Sequence, residues 1–549
     1  MTRSLLEDKR TVWLVAAVTI LLFVIANLPW QLDDYDQAKQ AFTSFEMIKE
    51  RHWFYQQTPH EHVATKPPLI GWISAGLFAL TRSWDAAWRL PSFLAAIALS
   101  IFLFRSGTSA YGTTAGVIAL GAFGFNLLSP RLATLVRTDM SLALVIFLIG
   151  SVIWRKIQKE EPWRSRDRFY IFALLTAAML IKGPIVYAFL LPGIALFQWR
   201  TRKRIASSVT TPVVPTHRDD PGQGGRAQQM PGRLGPGEPL QNGVSAWCGW
   251  WPWIASLVIF LLWVIGGILS QPGFFDEVVV REFIGRFGET IHRSQPLYFY
   301  LPHLLHKFAP WSVLMMAVAI VDLHSRKWRL RSVFREMSPE TFWLLCWSVG
   351  GLVVMSLIPS KRVDRIFPIV PPLCLLLAAQ VWRCAACSHG SVSRSSANID
   401  FDLIGHRPVA TKNEAATSCI YRLSALALLL AILFTSGYTI SKVISGYRNH
   451  RDALAVFGRQ VRREATDHHW RYEVVSAKDE GLLLYLRKRH FIEPDRAVAE
   501  WNGGNLDALV ASTEKVPALM RELRDSVISQ LKSNEKKEEQ GRGYVLIRR

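Results

Sequence analysis

Cysteine is scarce in this chain, which has six cysteines among 549 residues. The order of the apolar spans predicts that none of these cysteines lies in an extracytoplasmic segment, which argues against a disulfide framework. The pair Cys384-Ala-Ala-Cys387 and the nearby His389 could bind zinc. A fourth ligand would have to come from His406 or Cys419 at irregular spacing, so an adventitious cysteine pair beside a membrane span is the favoured interpretation.

Acidic residues are also few, with 43 Asp and Glu against 64 Lys and Arg, and the formal net charge is +21. Nucleic-acid binding would explain such an excess, but the chain lacks an interleaved basic and aromatic motif. Much of the charge lies in polar loops between apolar spans, where it can contact anionic lipid headgroups. The first apolar span lacks a convincing small-residue cleavage site, so we interpret it as a retained helix and not as a signal peptide.

Long apolar runs, in contrast, are abundant, since 50% of the residues are hydrophobic and 21 are Trp. Such runs can cross roughly 30 Å of hydrocarbon as helices. The candidate spans are 11–30, 88–106, 112–129, 139–154, 168–182, 183–199, 250–270, 309–323, 340–358, 366–382 and 422–441. The composition predicts an all-α polytopic membrane protein with about eleven transmembrane helices, or up to about thirteen if short runs are divided differently.

Counting the spans places the unusual ionisable residues on one side of the membrane. With the N-terminus in the cytoplasm, the inner loops are 155–168, 200–249, 324–339 and 383–421. These loops hold dense basic runs, as the positive-inside rule expects. The same count puts the acidic first loop, Asp139, segment 271–308 and the Lys361 cluster outside, which predicts an extracytoplasmic active site.

The chain divides into a membrane domain, residues 1–445, and a small α/β domain on the outer face, residues 446–549. In the second, the predicted elements are strands at 472–477, 506–511 and 543–547 and a helix at 479–489. Two polar loops, 205–245 and more weakly 385–418, have the composition of disordered insertions. The charged run 535–540 is interpreted as a solvated turn.

The outer loop 31–87 is the segment most suited to carry chemistry. It contains an amphipathic helical stretch at 37–49 and an apolar run at 69–80, which is short for a crossing and is predicted to lie along the membrane interface. Asp36 begins the amphipathic stretch, either as a helix N-cap or as a general base or metal ligand. The prolines after Lys66 would hold that lysine rigidly at headgroup depth.

Other outer segments add charges to the same compartment. Asp139 supplies a second carboxylate at the outer end of a span, and such residues tend to be functional. The remaining candidates are Arg281, Glu282, Arg286, His292 and Arg293, the aromatic Tyr298, and the turn residues Lys361, Arg362, Asp364 and Arg365. Cations around two carboxylates suit a phosphate-bearing lipid donor, because they would stabilise the leaving phosphate while a carboxylate accepts a proton.

The chain resembles the membrane glycosyltransferases of the GT-C class, specifically the protein O-mannosyltransferase-like family that includes the bacterial lipid A aminoarabinose transferases. The resemblance covers residues 10–382 and depends on the order of several short motifs. They are Asp36-Gln37 with Met47-Ile48, Lys66-Pro67-Pro68, Arg89-Leu-Pro-Ser92, Thr138-Asp139-Met140, Lys182-Gly-Pro184, and the basic turn from Lys361 to Pro371.

The resemblance implies inverting transfer of a sugar from a polyprenyl-phosphate donor to a hydroxyl of a lipid, glycan or protein, at the periplasmic face of a bacterial inner membrane. Asp36 would be the essential carboxylate, assisted by Asp139. The expected phosphate-binding residues are Lys66, Arg286, Lys361, Arg362 and Arg365, and the expected sugar or acceptor contacts are Lys39, His292 and Tyr298.

No cofactor is certain from the sequence. Thr65 and Phe283 stand where the aminoarabinose transferases have Glu and His associated with a metal, so a divalent metal on Asp36 and Asp139 remains an open alternative. A flippase for lipid-linked sugars is the second functional hypothesis, although no internal repeat is evident. A membrane-anchored scaffold whose outer domain binds cell-wall material is the third.

Overall fold

We analysed a computed structural model of the chain. It describes residues 5–32, 35–59, 62–209, 245–286, 295–325, 327–335, 337–387, 413–477, 479–532 and 543–549. Several predictions therefore fall outside the described residues: those on Asp33, Asp34 and His292, on His389 and His406 as zinc ligands, on the run 535–540, and on most of the two polar insertions.

Twenty α-helices are seen among the described residues. In the membrane domain and its outer loops they are α1 Lys9–Ile25, α2 Tyr35–Lys49, α3 Leu69–Thr81, α4 Trp84–Tyr111, α5 Thr113–Gly124, α6 Ser129–Ala133, α7 Asp139–Lys159, α8 Ser165–Lys182, α9 Ile185–Val209, α10 Trp251–Ser270, α11 Tyr300–Lys307, α12 Trp311–Ser325, α13 Leu330–Arg335, α14 Pro339–Leu357, α15 Val370–Cys387 and α16 Asn413–Arg448. Each of the eleven predicted spans coincides with one of these helices.

Six helical segments of the described chain are long and apolar enough to cross a membrane, or seven if the bent pair Leu297–Lys307 and Trp311–His324 forms one span. The six are Trp84–Tyr111, Asp139–Lys159, Trp251–Ser270, Pro339–Leu357, Val363–Ala385 and Ile420–Arg448. Leu69–Thr81, Thr113–Gly124 and Ile185–Thr201 are apolar but shorter. The number of crossings expected from the sequence thus remains a prediction, whereas the helices themselves are confirmed.

Small residues allow the membrane helices to approach closely. A Cβ added to Gly350 of α14 would lie 2.6 Å from the backbone nitrogen of Gly193 in α9, closer than atoms can pack. The indole of Trp343 donates a hydrogen bond of 3.1 Å to the carbonyl of Gly150 in α7. Without a hydrophobic driving force between helices in lipid, such close packing and interhelical hydrogen bonds hold the bundle together.

Helix α2 turns an apolar face towards one end of this bundle, which is named the outer end because the span count predicts it to be extracytoplasmic. Ala38, Ala41, Phe42 and Phe45 are buried, at the spacing expected of an amphipathic helix. The helix begins at Tyr35, so Asp36 lies within the first turn and is not the N-cap. The alternative interpretation of Asp36 as a capping residue is therefore wrong.

Helix α9 extends further than expected. It continues to Val209, so residues 205–209 are helical and only residues 210–244 of the predicted disordered insertion lie outside the described chain. The basic residues Arg202, Lys203 and Arg204 favour helix, which explains the extension.

The C-terminal domain is an α/β unit, as predicted, but it contains more elements. Its strands are β1 Tyr472–Val474, β2 Ala508–Ser512, β3 Val527–Lys532 and β4 Tyr544–Arg548, in the order β1-β2-β4-β3. Its helices are α17 Ala453–Asp467, α18 Glu480–Leu486, α19 Pro494–Asn502 and α20 Val516–Glu522. Among these four strands, β1 and β2 pair in parallel, and the pairs β2 with β4 and β3 with β4 are antiparallel.

The C-terminal domain packs directly on helix α2. The backbone N–H of Leu32 donates a hydrogen bond of 2.7 Å to the phenol oxygen of Tyr485 in α18. Leu484 and Tyr485 join the apolar cluster formed by the buried face of α2, and Arg489 pairs with Glu50 at the end of α2. Helix α18 is thereby fixed over the outer end of the bundle.

Candidate active site

A polar cavity of about 410 Å³ lies where the outer ends of the bundle meet helices α2 and α18. Its wall contains seven Lys or Arg and six Asp or Glu side chains, drawn from distant parts of the sequence. The lining residues are Tyr35, Asp36, Lys39, Thr58, His62, Thr65, Lys66, Arg137, Thr138, Asp139, Lys182, Glu277, Arg281, Glu282, Arg362, Asp364, Arg365 and Glu480. The charges that span counting placed outside therefore meet at one end of the bundle.

Asp36 points into this cavity from the first turn of α2. Its carboxylate accepts a hydrogen bond from Arg362, and the Arg137 guanidinium lies 3.6 Å away. Burial alone would raise the pKa of Asp36, but the positive charges of Lys66 and Arg362 outweigh it and hold the pKa below its usual value. Asp36 is therefore ionised at neutral pH.

Asp139 and Lys182 form a second ion pair at two helix ends of opposite polarity. Asp139 lies in the first turn of α7, where the helix dipole favours an anion, and Lys182 ends α8, where it favours a cation. Gly183 stops α8 with a φ of 73°, a conformation that glycine adopts without strain. The Lys182 ammonium donates a hydrogen bond to the Asp139 carboxylate.

Arg137 links the turn before α15 to the rest of the site. Its guanidinium donates a hydrogen bond of 2.7 Å to Asp364, and both side chains are at least nine-tenths buried. A longer ion pair of 3.7 Å joins Asp364 to Arg131. Because Arg137 also approaches Asp36, it connects the two carboxylates and fixes the position of the turn that carries Arg362.

Lys66 faces the cavity from the loop between α2 and α3. A β-bridge between Gln57 and Val63 shapes this loop, and Glu46 accepts a hydrogen bond of 2.5 Å from the Gln57 backbone N–H. Burial lowers the pKa of Lys66 to about 8, with Asp36 offsetting part of the effect. Among the described residues, no carboxylate lies within 4 Å of the Lys66 ammonium, so its charge is not neutralised by a direct ion pair.

Of the other residues predicted to bind phosphate, two line the cavity and one is directed away from it. Arg362 and Arg365 line the cavity, and Arg365 donates a hydrogen bond of 2.7 Å to the Ser360 carbonyl. Lys361 is directed away and donates a hydrogen bond of 2.8 Å to the Gln295 carbonyl. The backbone of Arg286 closes a short 3₁₀ turn, but its side chain is outside the described part of the chain.

The residues predicted to contact the sugar or the acceptor do not all lie in the cavity wall. Lys39 lines the cavity, where its ammonium lies 5.9 Å from the centre of the Tyr35 ring. Tyr298 is 69% exposed and is not part of the cavity wall. Since His292 is outside the described residues, Lys39 is the member of this group that the structure brings to the site.

Several lining residues were not predicted as site residues. Lys182 belongs to a motif that carried the family resemblance, and Arg137 directly precedes the motif Thr138-Asp139-Met140, so these positions were the available signal. His62 and Glu480 had no such signal. The Nδ1 atom of His62 lies 2.7 Å from the Oε1 atom of Glu277. Glu480 belongs to the C-terminal domain.

The cavity carboxylates do not assemble a metal centre. Within the described part of the chain, no group of three or more His, Cys, Asp or Glu side chains could hold a metal ion. Asp36 is engaged by Arg362 and Asp139 by Lys182, so the two proposed ligands face cations. The described residues of the cavity therefore do not fit a divalent metal.

Comparison with known proteins supports the resemblance over part of the sequence. The model of the dolichyl-phosphate-mannose-protein mannosyltransferase family matches residues 65–214. An undecaprenyl phosphate-alpha-4-amino-4-deoxy-L-arabinose arabinosyl transferase of Sodalis glossinidius is 32% identical over 148 residues, which are 27% of this chain and 25% of that protein. A transferase of the same name from Serratia proteamaculans is 24% identical over 202 residues, which are 36% of this chain and 35% of that protein. These matches span a quarter to about a third of the relatives' length.

The structural likeness extends over nearly the whole chain. The crystal structure of ArnT from Cupriavidus metallidurans bound to undecaprenyl phosphate has a TM-score of 0.62 at 18% identity, covering 98% of this chain and 97% of that one. The apo form of the same protein gives a TM-score of 0.57. The predicted fold class, a polytopic helical membrane domain with a small α/β domain, is confirmed. The resemblance to GT-C membrane glycosyltransferases is confirmed as well.

Proposed function

We propose that this protein is an integral-membrane glycosyltransferase that moves a sugar from a polyprenyl-phosphate donor to a hydroxyl of a lipid, glycan or protein acceptor. One observation carries the proposal: an ionised carboxylate, Asp36, shares a cavity with the half-buried cation Lys66, which has no direct ion pair among the described residues. The fold and the names of the partial relatives agree with it. A phosphate leaving group needs the cation and a hydroxyl nucleophile needs the base.

The cavity faces the periplasmic side of a bacterial inner membrane in this proposal. Support comes from the distribution of charge, because the opposite ends of the helices carry the basic runs Arg200–Arg204 and Arg326–Arg331. A donor whose polyprenyl chain lies in the bilayer would present its phosphate and sugar at the outer end of the bundle, where the cavity opens.

Lys66, Arg362 and Arg365 bind the donor phosphate. Arginine suits this role because its planar group can donate two hydrogen bonds to one phosphate, and lysine acts there as a point charge. Negative charge grows on the phosphate oxygen as the bond to the sugar breaks. The three cations stabilise this charge in a partly enclosed cavity, where electrostatic interactions are stronger than in water.

Asp36 accepts the proton of the acceptor hydroxyl. The acceptor oxygen forms a bond to the anomeric carbon, the bond from that carbon to the phosphate oxygen breaks, and the configuration inverts. Donor binding also prepares the base. When Arg362 and Lys66 bind the phosphate, their interaction with Asp36 weakens, and the pKa of Asp36 moves back towards its ordinary value.

Asp139 has a positioning role, through Lys182. The pair is largely buried, and the charges of both residues act on the Lys66 ammonium. Asp139 favours the charged lysine and Lys182 disfavours it, so the pair sets the electrostatic environment in which Lys66 meets the phosphate.

The direct test is to incubate purified protein with radiolabelled polyprenyl-phosphate sugars and membrane extract, and to identify the labelled product. The Asp36→Asn variant is the matched control, since it keeps the size of the side chain but not its basicity. Transfer of label to an acceptor by the wild type alone supports the proposal. Movement of labelled lipid across proteoliposomes without sugar transfer would instead support a flippase.

A further inference from the structure

We propose that Glu480 determines substrate specificity by accepting a hydrogen bond from a hydroxyl group of the bound sugar or acceptor, so that the C-terminal domain forms part of the substrate site. This inference deepens the proposed transferase function and rests on it. It assigns a role to a domain that otherwise contributes only the cover of the cavity.

Glu480 is the first residue of α18 and lines the cavity, although only 3% of the residue is exposed. Its Oε2 atom is buried without a hydrogen-bond partner, and no described residue donates a hydrogen bond to either carboxyl oxygen. Buried carboxyl groups are ordinarily hydrogen-bonded, because desolvation without a partner is costly. A partner supplied by a bound molecule resolves this cost.

The surroundings of Glu480 favour a hydroxyl over a phosphate. Burial raises its pKa, and the positive charge of Lys39 acts in the opposite direction. The cations assigned to the donor phosphate, Lys66 and Arg362, act instead on Asp36. An anionic group would meet an unfavourable carboxylate here, whereas a hydroxyl can donate a hydrogen bond to Glu480 and accept one from Lys39.

The position of Glu480 is fixed by the packing of α18 against the outer loop. The next residue, Gly481, lies so close to that loop that an added Cβ would be 2.5 Å from the Leu32 carbonyl oxygen. The hydrogen bond between Tyr485 and Leu32 and the ion pair between Arg489 and Glu50 hold the same helix. A preorganised acceptor of this kind discriminates strongly against substrates that lack the matching hydroxyl.

The test compares Glu480→Ala and Glu480→Gln with the control Glu522→Gln, which changes an exposed carboxylate of the same domain. The KM for donor, the KM for acceptor and kcat are measured separately, together with thermal unfolding in detergent. Glu480→Ala should raise one KM about tenfold or more, the range of a lost hydrogen bond to a charged group. Glu480→Gln should retain much of the activity because its amide oxygen still accepts, and Glu522→Gln should behave as wild type.

The KM that changes shows whether the hydroxyl belongs to the donor sugar or to the acceptor. A donor effect assigns it to the sugar, and an acceptor effect assigns it to the acceptor. Deoxy analogues of that substrate give the decisive comparison, because removing the correct hydroxyl should weaken the wild type but have little further effect on Glu480→Ala.

Unchanged KM values in Glu480→Ala would overturn the inference. If that variant does not fold, a wild type whose KM values are unchanged by every deoxy analogue would overturn it. Absence of any sugar transfer by the wild type would instead contradict the proposed function itself.

Discussion

Lys66 links the pH dependence of donor binding directly to the geometry of the cavity. Because burial lowers its pKa to about 8, Lys66 carries a charge near neutral pH and loses it as the pH rises through 8. A bound phosphate stabilises the ammonium ion and raises the pKa in the complex. Above pH 8, binding must therefore take up a proton, and we expect donor affinity to fall by up to about tenfold per pH unit.

The same shift predicts an effect of opposite sign on the stability of the free protein. The difference between about 8 and the ordinary value of 10.5 corresponds to roughly 3 kcal/mol favouring the neutral amine in the folded state. Between these two values the unfolded chain binds more protons, so the contribution of Lys66 to stability rises with pH. At pH 7, Lys66→Met should raise the unfolding temperature of the free protein while removing most of its donor affinity.

The assay is titration of purified protein with a polyprenyl-phosphate sugar from pH 6.5 to 9.5, alongside thermal unfolding in the same detergent. This donor is a phosphodiester, whose charge does not change in that range. Lys66→Arg should abolish the dependence near pH 8, because arginine remains protonated. Lys49→Met, at an exposed position of α2, should match wild type. Donor affinity independent of pH in the wild type, or normal affinity in Lys66→Met, would refute the reasoning.

Three further variants test other parts of the site. Asp36→Asn should still insert and bind donor but transfer sugar at least about a hundredfold more slowly, as expected for loss of a general base; single-turnover rates at saturating donor would show this, and a normal rate would remove Asp36 from catalysis. Arg137→Ala should destabilise the protein by about 3–5 kcal/mol, because it leaves Asp364 buried without its main partner; a wild-type unfolding temperature would contradict this. Lys361→Ala should reduce donor affinity less than Lys66→Ala does, since Lys361 is directed towards Gln295, and equal losses in binding titrations would contradict that placement.

The membrane helices were predictable because length and apolar composition are local properties of the sequence. The C-terminal domain was harder, since its short elements depend on packing with each other. Strand β3 was missed because Val527 and Ile528 are exposed and Lys532 interrupts the pattern. Helix α17 had a usable signal, the spacing of its buried residues Phe457 and Val461, but its many charges obscured it.

The sequence predicted that several charged residues share one site, but it did not predict which cation pairs with which carboxylate. Counting spans predicted Asp36, Lys66 and Asp139 on one side of the membrane, and the structure places all three in one cavity. Which cation pairs with which carboxylate depends on contacts between segments far apart in sequence, such as Arg362 with Asp36. Glu480 was beyond reach for the same reason, as nothing local indicates that α18 covers the cavity.

The near balance of charge in the cavity changes how phosphate affinity should be understood. Seven basic side chains face six acidic ones, so a phosphate is not attracted by a large net positive charge. Three of the cations, Arg137, Lys182 and Arg362, already have a carboxylate partner. Binding must redistribute these interactions around Lys66, whose charge lacks a direct ion pair among the described residues. Because such exchange occurs within a partly buried network, screening by salt is weak. Donor affinity should therefore depend more on the protonation of Lys66 than on ionic strength, which distinguishes this site from a surface patch of positive charge.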